Sequence, residues 1–177
     1  MRYAILMCLL ALPVQAEDSS GLGDLNPEEL TLNRVMRDVA RGETTMTNCA
    51  TGYYITKSGR HGLARELFER CAQNGWTGAM TWMSQLDDNG LGAPEDPGRA
   101  AEWDRRAADA GDPVGQFNYG LDLMRGRGVA RDTAAGRALV DEAARRGLPV
   151  ARRLQGTGYD LDEVTPDADN WKYAPQS

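Results

Sequence analysis

The chain has 177 residues, a formal net charge of −6 and 41% hydrophobic residues, which suits one acidic globular domain. The acidic excess lies at the two ends of the chain, whereas residues 46–155 are nearly neutral. The sequence has no basic stripe of the kind that nucleic-acid binding requires, so we expect no nucleic-acid partner.

Residues 1–16 have the pattern of a secretory signal peptide. Arg2 gives a positive start, residues 3–12 form an apolar run, and small residues at Val14 and Ala16 suit a cleavage site. The apolar run is too short to span a membrane. We therefore expect an exported protein, most simply periplasmic in a bacterium, with no membrane insertion after cleavage.

Residues 26–42 are the first predicted helix, after a mobile lead at 17–25. Asn26 is a good helix cap and Pro27 suits the first helical position. Four apolar residues form a stripe along the helix: Leu32, Val35, Met36 and Val39. The repeated units that follow must have their first apolar face covered, so we interpret this segment as an N-terminal capping helix. The alternative is a helix that docks on a partner.

Residues 75–146 contain a 36-residue unit written twice, and its turn glycines and cap aspartates fall on one another. The matches are Gly75 with Gly111 and Gly147, Gly90 with Gly126, Gly92 with Gly128, and Asp96 with Asp132. A repeat of this period indicates stacked supersecondary units, each too small to bury its own apolar face.

Each unit is predicted to be a pair of antiparallel helices. In the second copy, Asp112 caps a first helix, the glycines at 126 and 128 end it, and Asp132 caps a second helix that stops at Gly147. The predicted fold is all-α, a short α-solenoid with units at about 75–110 and 111–146 and a half unit at 147–156.

Residues 43–74 form a preceding unit with a shorter loop. The loop glycines are missing at the expected positions, but deleting four loop residues aligns Gly52 with Gly120. We predict helices near 44–56 and 61–74. The acidic tail at 157–177 carries Trp171 and Tyr173, which we expect either to dock back onto the solenoid or to contact a partner.

This pattern resembles the Sel1-like repeat, a relative of the tetratricopeptide repeat, over about residues 44–156. The residues that match its motif in the second copy are Gly115, Tyr119, Gly120, Leu123, Gly126, Gly128, Val129, Asp132, Gly136, Ala143, Ala144 and Gly147. Asp87 departs from the motif, which prefers a buried aromatic residue there.

The resemblance implies protein–protein adaptor work, including envelope regulation or complex assembly. In tetratricopeptide relatives the first helix of each pair lines the groove. Carried to this sequence, the partner-binding residues would be Tyr53, Lys57, Thr81, Gln85, Asp88, Asn89, Phe117, Leu121, Met124 and Arg125.

Cys49 and Cys71 are the only cysteines after the predicted cleavage. An exported protein meets an oxidising compartment, and two antiparallel helices would place these residues at similar heights, so we favour a structural disulfide. Some secreted Sel1-like proteins have disulfides within a repeat, and the cysteine pair of this sequence resembles them. The alternative is a metal or redox accessory protein that uses these two thiols.

The function we predict is a non-enzymatic periplasmic scaffold that binds envelope proteins or peptides, with no metal and no cofactor. The runner-up is a secreted enzyme or binder acting on peptidoglycan or a β-lactam, because some secreted Sel1-like proteins have been linked to penicillin binding. His61 is the one histidine, and neither a partner for it nor a Ser-x-x-Lys motif is identifiable.

Overall fold

The computed structural model describes residues 31–164, and within this range the fold is all-helical, as predicted. The helices are α1 (Leu32–Ala40), α2 (Met46–Lys57), α3 (His61–Gln73), α4 (Thr77–Asp88), α5 (Pro97–Asp109), α6 (Pro113–Arg125), α7 (Thr133–Arg145) and α8 (Pro149–Gly156), followed by a short 3-10 turn, Leu161–Glu163. The predicted signal peptide, the mobile lead, Trp171 and Tyr173 lie outside the described residues.

The 36-residue period of the sequence is the period of the helices. The second helices α3, α5 and α7 have 13 residues each and begin at His61, Pro97 and Thr133. The first helices α4, α6 and α8 begin at Thr77, Pro113 and Pro149. Each helix packs mainly against its neighbours in the chain, which is the arrangement of a solenoid.

Helix α1 begins later than the sequence suggested. Thr31 has extended backbone (φ −84°, ψ 145°) and precedes the first helical residue, Leu32, so the helix does not run continuously from Pro27. The apolar stripe of α1 nevertheless packs against the core at the start of the stack, as expected of a capping helix. Leu32, Val35 and Met36 are partly buried against the first core cluster.

Aspartate caps fix the starts of three helices. Asp96 accepts a hydrogen bond from the Arg99 amide at 3.0 Å, and Asp132 accepts one from the Ala135 amide at 3.0 Å. Asp112 accepts from two amides of α6. Each such cap is worth about 1 kcal/mol, so the aligned aspartates set the helix boundaries in each unit.

The aligned loop glycines are required by stacking between units. Gly92 and Gly128 have φ values of +76° and +69°. A Cβ on Gly92 would lie 2.8 Å from the His61 carbonyl carbon, and a Cβ on Gly128 would lie 2.0 Å from the Pro97 carbonyl oxygen. Each loop therefore lies directly on the start of the second helix of the preceding unit, where a side chain does not fit.

Asp87, the residue that departs from the repeat motif, is fully buried. The Arg65 guanidinium of α3 donates to its carboxylate and also to the carbonyl of Leu91, and Arg99 lies 3.6 Å away. An ion pair with α3 thus replaces the aromatic residue of the motif and ties the α4–α5 loop to the preceding unit.

The chain after α8 docks onto the end of the stack. Tyr159 donates its hydroxyl proton to Asp141, and the Arg137 guanidinium lies 4.7 Å above the Tyr159 ring. Val164 is only 4% exposed and belongs to the second core cluster, which is otherwise formed by α6, α7 and α8 with Leu148 between the last two. We call residues 159–164 the docked segment.

Candidate binding surfaces

Cys49 and Cys71 form a disulfide between α2 and α3, as expected. The Cα atoms are 5.9 Å apart, and both residues are completely buried. Because the two sulfur atoms are bonded to each other and enclosed, they offer no thiol to a metal or to a redox partner. This geometry is evidence against the accessory role considered as an alternative above.

The middle of the stack contains a polar layer where the neighbouring units are apolar. Phe68, Asp104 and Val140 occupy the same register position, 36 residues apart. A Cβ on Gly52 would meet the Phe68 ring, and one on Gly120 would meet Val140. These glycines make room for the large apolar side chains of α3 and α7.

In the middle unit, the glycine and the large apolar side chain are replaced by two polar residues that hydrogen-bond to each other. Ser84 stands in the position of the glycines, and its hydroxyl donates to Asp104 at 2.5 Å. The Asn118 amide of α6 donates to the other oxygen of Asp104 at 3.2 Å. Asp104 is 3% exposed, so its carboxyl joins α4, α5 and α6 inside the stack.

Two further carboxylates lie beside this layer, and we call Asp88, Asp104 and Asp122 the acidic notch. Asp122 is 8% exposed, and its Oδ2 has no hydrogen-bond partner among residues 31–164. Asp88 is more open, with a side chain 23% exposed that accepts from Arg127 Nε at 2.7 Å. The notch therefore runs from a half-open carboxylate to two enclosed ones.

Burial perturbs the titration of the enclosed carboxyls. Desolvation raises the pKa of Asp104 well above its ordinary value, and the hydrogen bond from Ser84 opposes this effect in part. Desolvation, followed by repulsion from Asp88, raises the pKa of Asp122 from 3.8 to about 7, although Arg127 and Arg125 act in the opposite direction.

One side of the first helices faces away from the second helices, and we call it the inner face. On α6, a Cβ at Gly115 would touch α5 and one at Gly120 would touch α7. At about 100° per residue, Leu121 lies roughly 180° from the midpoint of these contacts. The inner face contains Val114, Leu121 and Arg125 on α6, and Gln85 and Asn89 on α4.

Four of the predicted partner-binding residues offer no accessible surface, and this part of the prediction is wrong. Thr81, Phe117 and Leu121 are 0% exposed and Met124 is 2% exposed. Phe117, Leu121 and Met124 belong to the second core cluster. Helical spacing placed these residues on the first helices correctly but did not show that they are covered.

The other predicted residues keep some surface. Gln85 and Asp88 are half-buried, and Asn89 is exposed at the end of α4. Arg125 is exposed, but its guanidinium donates to the carbonyls of Leu161 and Val164 at 2.7 and 2.9 Å. Arg125 therefore anchors the docked segment.

Tyr53 and Lys57 lie at the first unit. Tyr53 packs edge-on against Trp82, with ring centroids 5.6 Å apart, and the Lys57 ammonium lies 5.4 Å from the Tyr53 ring. Tyr53 is half-buried, whereas Lys57 is exposed. This pair joins the first unit to α4, whereas the residues of the acidic notch belong to α4, α5 and α6.

A groove of about 470 Å³ between α1 and α2 was missed by sequence reasoning. Its lining residues are Leu32, Val35, Thr47, Asn48, Thr51, Tyr54, Ile55 and Ser58. Tyr54 is 72% exposed, an unusual position for a tyrosine on a packed helix. The sequence favoured capping for the stripe of α1, with docking on a partner as the alternative, and Leu32 and Val35 of that stripe line this groove.

Residues 31–164 contain neither a metal-ligand cluster nor a membrane-spanning helix. Within that range no set of three or more His, Cys, Asp or Glu side chains is placed to hold a metal ion. No helix of the described part is long and apolar enough to cross a membrane. His61 is the first residue of α3 and lies beneath Gly92, with its Nδ1 enclosed.

The fold is that of Sel1-like repeat proteins. A Sel1 repeat protein from Oxalobacter formigenes superposes with a TM-score of 0.62 at 20% identity, over 77% of this chain and 57% of that one. The antigen c5321 of uropathogenic Escherichia coli, described as a protective antigen with an SLR fold, gives 0.58 at 20% identity, over 75% and 30% of the two chains.

The chain is thus shorter than both structural neighbours, spanning 57% and 30% of their lengths. No protein-family model matches the sequence, and no curated relative does. The likeness to these two solved structures establishes the architecture, an all-α solenoid of Sel1-like helix pairs.

Proposed function

We propose that the protein is an exported, non-enzymatic scaffold that binds a protein or peptide partner on the inner face of its solenoid. The observation that carries this proposal is the stacking of repeated helix pairs, in which the first helices α4 and α6 contact each other. On this side of α4, Asn89 is exposed and Gln85 is half-buried.

Two features support export, to the periplasm if the source is a bacterium with two membranes. Residues 1–16 have the pattern of a signal peptide. The disulfide between Cys49 and Cys71 is of the kind that persists in oxidising compartments.

The proposal that the protein is not an enzyme rests on the surroundings of its one histidine, His61. Because His61 lies under the α4–α5 loop with its Nδ1 enclosed, its environment does not favour a general base that meets a substrate. Intact-mass analysis after incubation with a β-lactam tests this part directly. A stoichiometric covalent adduct would overturn it.

The partner surface is tested with a matched pair of variants. The mature protein is used to capture a partner from the envelope extract of the source organism, and the identified partner is then purified and titrated by calorimetry. We expect Gln85→Arg, which places a bulky cation on the inner face, to weaken binding at least tenfold. Glu69→Arg, an exposed change on α3, should leave the affinity unchanged.

Both variants should unfold at the temperature of the wild type, because neither residue is fully buried. Equal affinity of the two variants for the purified partner would refute the inner face as the binding surface. Failure of the mature protein to bind any partner would refute the scaffold itself.

A further inference from the structure

The inner face of α6 borders the docked segment. Helices α5 and α7 are the main neighbours of α6, and Val114 and Leu121 point away from both. Both residues are 0% exposed and share a core cluster with Ala151 and Leu154 of α8. Val164 of the docked segment belongs to the same core cluster, so the chain beyond α8 already reaches this region.

The docked segment ends beside the inner face, so the residues that follow it begin there. Arg125 lies on that face at the C-terminal end of α6 and holds the carbonyl of Val164 at 2.9 Å. Residues 165–177 follow directly. Thirteen extended residues reach about 40 Å, whereas a 13-residue helix is about 20 Å long, so the segment can run the full length of α6.

The chemistry of residues 165–177 matches what the inner face offers. Lys172 is the only cation after Arg153, and Trp171 precedes it. The acidic notch holds an enclosed Asp122 oxygen with no partner among the described residues, and such a group is costly unless a donor reaches it. An ammonium group supplies three donors and a compensating charge.

We propose that residues 165–177 bind the inner face of their own molecule. In this arrangement the Lys172 ammonium pairs with the carboxylates of Asp88 and Asp122, and the Trp171 ring covers Leu121. The docking itself stands on the contacts above. Its regulatory consequence rests on the proposed function, because a segment on the partner surface competes with the partner.

Zero-length carbodiimide cross-linking of the full mature chain tests the docking, since it joins an ammonium to a carboxylate in contact. The chain has only two lysines, Lys57 and Lys172, so the products are few. We expect peptide mass spectrometry to find Lys172 joined to Asp88 or Asp122. Lys57→Arg should retain this product and Lys172→Arg should abolish it.

A positive control is available within the notch. Arg127 Nε lies 2.7 Å from Asp88, so the R127K variant tests whether Asp88 reacts with an ammonium beside it. If R127K cross-links to Asp88 while Lys172 of the wild type joins neither Asp88 nor Asp122, the docking is overturned. Mixed ¹⁴N and ¹⁵N protein distinguishes contacts within a molecule from contacts between molecules, and products between molecules alone would also overturn it.

The competition is tested separately with Trp171→Ala and the purified partner. If the docked tail covers the partner surface, this variant should bind the partner several-fold more tightly than the wild type. A cross-link to the notch together with unchanged affinity would leave the docking in place and refute the inner face as the partner surface. Tighter binding without the cross-link would instead refute the proposed position of Lys172.

Discussion

In a Lys172→Met reference protein, which lacks the ammonium proposed to pair with Asp122, replacing Asp122 by asparagine should stabilise the protein above neutral pH and have little effect near pH 4. Burial and the neighbouring Asp88 raise the pKa of Asp122 to about 7, whereas an aspartate in an unfolded chain titrates near about 3.9. The folded state therefore binds this proton more tightly. The stability it contributes is present below pH 4 and is lost as the pH rises through 7.

The size of the effect follows from the shift. A pKa raised from 3.8 to about 7 corresponds to a change in unfolding free energy of up to about 4 kcal/mol between pH 4 and pH 8. Asparagine has nearly the same shape and no charge, so D122N should lack this part of the pH dependence. Burial and, in addition, the Asp122 charge raise the pKa of Asp104, so the difference between the two curves reports the Asp122 carboxyl together with its coupling to its acidic neighbours.

The assay is urea unfolding followed by circular dichroism at pH 4.5, 6.0 and 7.5. The free-energy difference between D122N and the reference protein, both carrying Lys172→Met, should grow with pH and favour D122N. Asp109→Asn, at an exposed side chain, controls for the loss of one negative charge. Parallel curves for D122N and the Lys172→Met reference, or a D122N protein less stable than the reference at pH 7.5, would show that Asp122 is not destabilised by its surroundings.

Two further predictions concern the covalent and steric design of the stack. Replacing Cys49 and Cys71 by alanine opens a loop that the disulfide closes across a sequence separation of 22. Thermal and urea unfolding should show that the free energy of unfolding falls by about 3 kcal/mol. A fall below about 1 kcal/mol would contradict the role of the disulfide as a restraint on the unfolded chain. Gly128→Ala should lower stability by about 2 kcal/mol or more, because its Cβ would lie 2.0 Å from the Pro97 carbonyl oxygen and its φ is +69°. Gly156→Ala, with no atom within 4 Å, is the control and should change stability by less than about 1 kcal/mol, and equal effects of the two changes would refute the stacking contact.

The architecture could be predicted because its determinants are local and repeated. Asp96 and Asp132 cap helices through amides three residues away, and their spacing appears directly in the sequence. Gly92 and Gly128 mark positions where the backbone needs positive φ. Such signals do not depend on knowing what the rest of the chain does.

The surfaces could not be predicted to the same degree because they depend on distant contacts. Helical periodicity places Phe117 and Leu121 on the first helices, but their exposure depends on segments that arrive from elsewhere, such as Val164, which Arg125 holds across 39 positions. Asp104 resembles an ordinary surface charge until it is aligned with Phe68 and Val140. That alignment was the available signal for the buried polar layer.

The two ends of the stack are closed by bonds of different kinds. A covalent bridge clips α2 to α3, whereas α8 is finished by hydrogen bonds to the docked segment, including those donated by Arg125 and Arg153. In a quasi-one-dimensional array the end units fray first, and a non-covalent clip opens more readily than a covalent one. Unfolding should therefore start at α8 and proceed toward the first unit, so a protease acting on the frayed chain would leave the bridged pair α2–α3 as the last resistant fragment.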